Sequence, residues 1–332
     1  MTRIFSGIKP TGHMTLGNYL GAVRQWVAAD QEPDDALFCV VDLHALTVEH
    51  EPARVRRLSR QAATLLIAAG LEPRRCTLFV QSHVDEHTRL AYLLECTATD
   101  GELRRMIQYK EKAAKAQAAG DGVRLSLLTY PVLMAADILA YGAGEVPVGE
   151  DQRQHVELTR DLAVRFNQRY GHTFTVPKAS HPAVAARVMD LQDPTSKMGK
   201  SHENGAGIVY LLDEPGVVRK KVMRAVTDSG DDGVVHDREA RPGVANLLDI
   251  LAACTGGDPV ALAEGYSGYG ALKRDVADAV VELLRPLQER HAELAADPAQ
   301  VDKALREGAE RARELARPVV DRAYEAIGLL RP

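Results

Sequence analysis

The chain has 332 residues, a length that suggests about two domains. With 45% hydrophobic and 26% charged residues, it is an ordinary globular sequence, which excludes disordered and collagen-like classes. Lys and Arg number 41 against 46 Asp and Glu, a formal charge of −5. A uniformly basic nucleic-acid-binding coat is therefore excluded, but local basic patches are not. No apolar run approaches the ~18–20 residues of a membrane span, and the first residues lack a secretory h-region. The four cysteines (Cys39, Cys76, Cys96 and Cys254) form no CxxC pair, so buried thiols are expected rather than a zinc or redox site. Together these features predict a cytoplasmic protein with no membrane or DNA partner.

In chain order, residues 4–7 are extended and residues 16–29 carry Leu16, Leu20, Val23 and Val27 at helical spacing. Residues 36–41 form a continuous apolar run, as in a strand covered on both faces. A helix over 53–70 follows, with Leu58, Ala62, Leu65 and Leu66 on one face, and then a strand over 77–81. The segment 88–143 reads as a helical insertion, and 145–148 as a strand leading into a helix over 151–168. Beyond residue 202 the pattern is helical: 215–226, 243–254, 259–266, 270–292 and 298–328. Strands alternating with helices predict a doubly wound parallel α/β sheet. We expect a first domain over 1–201 and a helical domain over 202–332, its last helix packing back on the core.

Several segments carry polar chemistry. Gly7-Ile8-Lys9-Pro10-Thr11-Gly12 and Thr15-Leu16-Gly17-Asn18 join the first strand to the first helix, where backbone N–H groups and the helix dipole favour anions. An ordinary strand–helix turn is the simpler reading of that segment, and no G-x-G-x-x-G occurs. Ser196-Lys197-Met198-Gly199-Lys200-Ser201 resembles the end of a P-loop, but Pro194 stands where that motif needs glycine. What remains is a loop with two lysines suited to a polyphosphate. Gly149-Glu150-Asp151-Gln152 with His155 falls at the carboxyl end of a strand, where open α/β sheets bind ligands. Tyr130 to Asp137 opens a helix whose only early charge is Asp137, with Met134 on the same face. Residues 103–124 and 217–226 each carry a net excess of four cations; such runs are commonly solvated helix faces unless a polyanion is bound. Neither HExxH nor G-x-S-x-G is present, which disfavours metal and serine hydrolases.

The order of these motifs is more specific than any one of them. Phe5-Ser6-Gly7-Ile8, Thr15-Leu16-Gly17-Asn18, Met134-Ala135-Ala136-Asp137-Ile138-Leu139, Val148-Gly149-Glu150-Asp151-Gln152, Gln154 to Asp161, the lysine loop and Ala225 to Ser229 resemble class I aminoacyl-tRNA synthetases. The resemblance runs from about residue 3 to Gly328 and is strongest to their bacterial tryptophan-specific branch. It implies a Rossmann-like core that activates L-tryptophan with ATP and Mg²⁺ to tryptophanyl-adenylate and transfers it to tRNA(Trp). It also implies a homodimer whose helical domain reads the anticodon. No covalent enzyme intermediate is required, so catalysis would rest on positioning and charge stabilisation.

By the same resemblance, Lys197, Lys200, Asn18 and Lys112 serve catalysis. Lys9, Pro10, Thr11, Gly17, Asn18, Gly149, Glu150, Asp151, Val188, Lys197, Met198, Gly199, Lys200 and Ser201 border ATP, with no metal ligand from the protein. Asp137 accepts the indole N–H, with Met134, Phe5, Gly7, Val41, His44, Tyr130, Val146, Val148 and Gln152 completing the tryptophan pocket. Indole nitrogen only donates, so a buried carboxylate suits it. The chain departs from the family at Lys9, where glutamine is usual, and at Gly199, where serine is usual. A cation at position 9 would alter affinity for tryptophan and for inhibitors that mimic it, unless it points to solvent. A tyrosine-specific ligase and a noncatalytic nucleotide- or RNA-binding paralogue are the competing readings.

Overall fold

The computed structural model describes residues 3–28, 35–149, 152–180, 187–199, 205–228 and 233–330. Five parallel strands, β1 (Ile4–Ile8), β2 (Ala36–Val40), β3 (Thr77–Val80), β4 (Glu145–Pro147) and β5 (Lys178–Ser180), form one sheet in the order β3-β2-β1-β4-β5. β1 runs beside β2 from Ile4 opposite Ala36 to Ile8 opposite Val40. Every residue of β2 and β3 is buried, which explains their unbroken apolar runs. The strand order reverses between β1 and β4, and the crevice at that reversal is where doubly wound sheets bind ligands.

After β1 come α1 (Leu16–Asn18), a π-helical turn (Tyr19–Val23) and α2 (Arg24–Ala28). The helix expected over 16–29 is thus interrupted, since a π turn shifts the register of side chains that the apolar spacing alone reads as continuous. Residue 29 lies outside the described residues. α3 (Pro52–Ala68) starts on a proline, whose missing N–H is harmless at that position. The insertion comprises α4 (Glu86–Glu95), α5 (Asp100–Arg104), α6 (Ile107–Ala118) and α7 (Leu125–Leu139), followed after β4 by α8 (Arg153–Tyr170). The remaining helices are α9 (Pro215–Met223), α10 (Pro242–Thr255), α11 (Pro259–Ala263), α12 (Tyr269–Ala296) and α13 (Pro298–Ile327).

The two faces of the sheet have separate cores. Phe38 and Val40 point into one that continues through Leu65 and Leu66 of α3 to Leu247 of α10 and Val280 of α12. Leu37 and Cys39 point into the other, with Leu90 and Leu94 of α4, Ile138 and Leu139 of α7, and Ala312 and Val320 of α13. α13 lies against β3 and α4. It comes so close that a Cβ on Gly308 would stand 1.9 Å from the Leu78 carbonyl. Arg311 donates to the Pro73 carbonyl and Arg313 to that of His83.

Two expectations need correction. β5 is a further strand that no apolar run in Lys178-Ala179-Ser180 announces; its register with β4 defines it instead. The thiols are not uniformly buried: Cys39 and Cys76 are, whereas Cys96 is exposed and Cys254 intermediate.

Candidate active site

A cavity of about 420 Å³ opens at the carboxyl ends of β1 and β4. Phe5, Gly7, Lys9, Asn18, Val41, His44, Lys112, Tyr130, Met134, Asp137, Val146, Val148, Gly149 and Gln152 all line it. Residues from five separate sequence motifs thus converge on one space. Pro10, Thr11, Gly17, Val188, Lys197, Met198 and Gly199 are not among its lining residues. Glu150, Asp151, Lys200 and Ser201 lie outside the described residues.

One wall is built around Asp137, which is 1% exposed on the apolar face of α7. Its Oδ1 accepts from Gln81 Nε2 at 2.7 Å and lies 2.6 Å from His87 Nδ1. His44 Nε2 is 2.8 Å from Oδ2. A carboxylate has about four acceptor positions; three are filled from within the protein, and one on Oδ2 remains for a ligand. Burial pushes this carboxyl upward, but hydrogen bonds from His44 and His87 outweigh it and bring the pKa down to about 2. The group is therefore a permanent acceptor in an apolar setting of Phe5, Val41, Met134 and Val146.

The opposite side is cationic. Lys9 follows β1 and donates from Nζ to Thr47 Oγ1 at 3.2 Å, and Thr47 in turn donates to the His44 carbonyl at 2.9 Å. Burial, then the neighbouring Lys112 charge, lowers the Lys9 ammonium to about 8. The side chain faces the cavity, not bulk solvent. Lys112 Nζ reaches Gln108 Oε1 at 3.2 Å and sits 5.4 Å from the Tyr130 ring centre. The Tyr130 hydroxyl lies 2.8 Å from His155 Nε2, and burial pushes this phenol up.

The turn before α1 is fixed by a capping box. Asn18 N donates to Thr15 Oγ1 at 3.2 Å, and Thr15 N donates to Asn18 Oδ1 at 3.1 Å. Asn18 lines the cavity, and with its oxygen so engaged the amide N–H₂ is the group it has left to offer, a donor suited to an anion. The lysine loop docks behind this turn. Met189 and Lys197 form an antiparallel bridge, Met198 is buried, and Thr15 Oγ1 contacts the Met198 carbonyl at 3.4 Å. A Cβ on Gly17 would stand 3.1 Å from that carbonyl, so glycine permits the close approach. Asn246 of α10 clasps Met189 by both amide groups, at 2.8 and 3.0 Å. The helical half thereby holds the base of the loop.

Sequence reasoning missed Gln81, His87, Tyr141, Thr47, Gln108 and Trp26. Gln81 follows the buried strand β3, and Tyr141 is four residues beyond Asp137; both positions were legible signals. Trp26 and Gln108 carry no such mark. The two basic segments differ in kind. Lys112 of 103–124 reaches the cavity. In 217–226, Arg219 pairs with Asp278 and Lys221 with Asp213, so half of that excess is taken up internally.

Comparison with known proteins agrees with this geometry. The family model for class I tRNA synthetases of the tryptophan and tyrosine type (W and Y) matches residues 1–285, and the chain belongs to that family. Among its relatives, tryptophan–tRNA ligase 1 of Streptomyces coelicolor is 76% identical over 332 residues, covering 100% of this chain and 98% of that one. The tryptophanyl-tRNA synthetase structure from Mycoplasma pneumoniae superposes with a TM-score of 0.90 at 35% identity, over 99% of this chain and 98% of that one. That from Campylobacter jejuni, complexed with ADP and tryptophan, gives 0.83 at 31% identity, over 98% and 100%.

Proposed function

We propose that the chain is a tryptophan–tRNA ligase, activating L-tryptophan with ATP and passing it to tRNA(Trp). The observation that carries this is Asp137: a fully buried, ionised carboxylate with one acceptor position left toward an apolar cavity. An indole N–H fills that position, whereas phenylalanine would leave it unpaired; polar mismatches of this kind give up to ~10⁴–10⁵ in selectivity. A phenol could also donate there, and the full-length kinship with tryptophan–tRNA ligases favours indole over tyrosine. The Campylobacter protein, with ADP and tryptophan bound, supports a site that takes nucleotide and amino acid together.

With indole against Asp137, the amino-acid carboxylate lies toward Lys9, and Asn18, Gly149 and Lys112 border the phosphates. The attack of that carboxylate on the α-phosphate is then made effectively intramolecular, and the cations and N–H donors stabilise the charge that gathers on the phosphate oxygens. Lys197 and Lys200 hold the departing pyrophosphate as their loop closes over the turn at Gly17. Mg²⁺ would accompany the ATP phosphates and screen their charge, a common mode for this ion. Residues 1–201 bind ATP and tryptophan and residues 202–332 present the anticodon-reading surface. The large apolar side chains left exposed on the insertion, Tyr92, Ile107 and Leu125, favour a homodimer. Among the described residues no helix is long and apolar enough to cross a membrane, and a cytoplasmic location fits the proposed substrates.

ATP–pyrophosphate exchange with tryptophan and tyrosine, tested separately, decides among the readings. Exchange with tryptophan alone is expected. Exchange with tyrosine alone would support the tyrosine ligase, and none with either the noncatalytic paralogue.

A further inference from the structure

Asp137 is held from behind by groups that do not line the cavity. His87, at the start of α4, is fully buried, and both of its ring nitrogens are engaged. Nδ1 lies 2.6 Å from Asp137 Oδ1, and Nε2 lies 2.7 Å from the Tyr141 hydroxyl. Tyr141 follows Asp137 by four residues, just past the end of α7, so both side chains project to the same side. The Tyr141 ring is itself immobilised, stacked on Phe5 at 5.6 Å and edge-on to Phe79 at 5.8 Å between ring centres.

A neutral imidazole has one donor and one acceptor, and its partners decide which nitrogen is which. The carboxylate can only accept, so the 2.6 Å contact requires the proton on Nδ1. In the neutral ring Nε2 then accepts, and the group that faces it is the Tyr141 hydroxyl. Burial drives the Tyr141 phenol well above its ordinary range, so it keeps its proton and can donate. Gln81 is fixed by the same logic: its Oε1 accepts from Leu43 N at 3.1 Å, which turns its N–H₂ toward Asp137.

We propose that Tyr141 is a positioning residue for amino-acid selection. By donating to His87 Nε2, it locks the ring in the Nδ1–H tautomer, which ties down Oδ1 of Asp137 and leaves the open Oδ2 position facing the cavity. Without the hydroxyl, Nε2 is left a buried acceptor with no donor, and only the carboxylate still disfavours the other tautomer, in which a lone pair would face Asp137. The carboxylate would then rotate away from the position that reads the substrate. This inference rests on the reading of Asp137 as the acceptor of the indole N–H.

The variant Tyr141→Phe removes one oxygen and preserves the ring packing. It is assayed by ATP–pyrophosphate exchange with tryptophan and with 3-benzothienylalanine, an isostere in which sulfur replaces the indole N–H. We expect the KM for tryptophan to rise about tenfold, the size of one weakened buried hydrogen bond, with kcat and the KM for the isostere little changed. An equal change for both amino acids, or none for either, overturns the proposal. A second variant guards against a simple folding defect. In His87→Asn the side-chain Nδ2 falls near the place of the ring Nδ1 and donates without any choice of tautomer. Adding Tyr141→Phe to it is expected to leave selectivity unaltered, and a full tenfold loss there contradicts the tautomer argument. If the unaltered protein does not prefer tryptophan to the isostere, the failure belongs to the Asp137 reading and not to Tyr141.

Discussion

Two ionisable side chains frame the chemistry of the cavity, and they are displaced from their ordinary ranges for different reasons. Asp137 stays charged because the hydrogen bonds from His44 and His87 outweigh burial, holding it at about 2. Its contribution is present above the ordinary carboxylate range and is lost only as pH falls through about 2. Recognition by Asp137 therefore should not titrate at any working pH. Asp137→Asn replaces an ionised acceptor by a neutral amide, and a hydrogen bond to a charged group contributes about 1.5–3 kcal/mol. A loss of roughly 100-fold in kcat/KM for tryptophan follows at 1.4 kcal/mol per tenfold, measured by pyrophosphate exchange. Lys9 moves the other way: burial and Lys112 lower its ammonium to about 8. Its charge is complete below that value and lost above it, so KM for tryptophan should rise as pH passes 8. In Lys9→Gln that alkaline rise is expected to vanish, and inhibition by a tryptophan analogue to change; an unaltered pH profile and unaltered inhibition would show that Lys9 does not meet the ligand.

At the scale of elements, the close approaches are made where glycine occurs. Gly308 of α13 has no room for a Cβ, which would stand 1.9 Å from the Leu78 carbonyl of β3. Backbone cannot yield as a flexible side chain does, so Gly308→Ala should destabilise the fold by about 1–3 kcal/mol, the range of overpacked cores. Thermal or denaturant unfolding measures this, and an unchanged midpoint would mean that α13 shifts freely on the sheet. The strands β1 to β4, α3 and the helices from α8 onward were legible in the apolar pattern, and every residue of β2 and β3 is buried; the insertion was legible only as helical, and α7 begins at Leu125, ahead of the Tyr130 start expected for it. β5 and the π turn after Asn18 were not, since pairing partners rather than periodicity define them. The same division holds in the site. Asp137, Met134 and Lys9 were legible as chemistry-bearing residues in ordered motifs. Behind Asp137, Gln81 at the end of β3 and Tyr141 one helical turn further on stand at positions the sequence marks, whereas nothing marks His87, whose role exists only through its contact with Asp137 across 50 residues.

Over the whole molecule, the sign of the average charge misleads about the partner. The net −5 coexists with the basic segment 103–124, whose Lys112 reaches the cavity while Lys110 and Lys115 stay exposed on α6. In the segment 217–226 half of the excess is engaged within the protein, by Arg219–Asp278 and Lys221–Asp213. If α6 guides a polyanion toward the cavity, replacing Lys110 and Lys115 by serine should raise KM for tRNA several-fold and lessen its salt dependence, by about one unit of slope per lysine. Pyrophosphate exchange, which involves no tRNA, should be unaffected. Equal losses in both reactions would place these lysines at the ATP site instead. The core joining α3 to α10 and α12, and α13 lying on β3, mean that the helical half is packed on the sheet. Asn246 of α10 grips Met189, which is bridged to Lys197, and so gives that half a direct hold on the lysine loop.

The most direct test of the central claim is a structure of the protein with a non-hydrolysable tryptophanyl-adenylate analogue. The account predicts the indole nitrogen within hydrogen-bond distance of Asp137 Oδ2, the linking carbonyl beside Lys9, and the adenosine against the turn at Gly17 and Asn18. An indole seated away from Asp137, with the carboxylate still enclosed by His44, Gln81 and His87 alone, would contradict it.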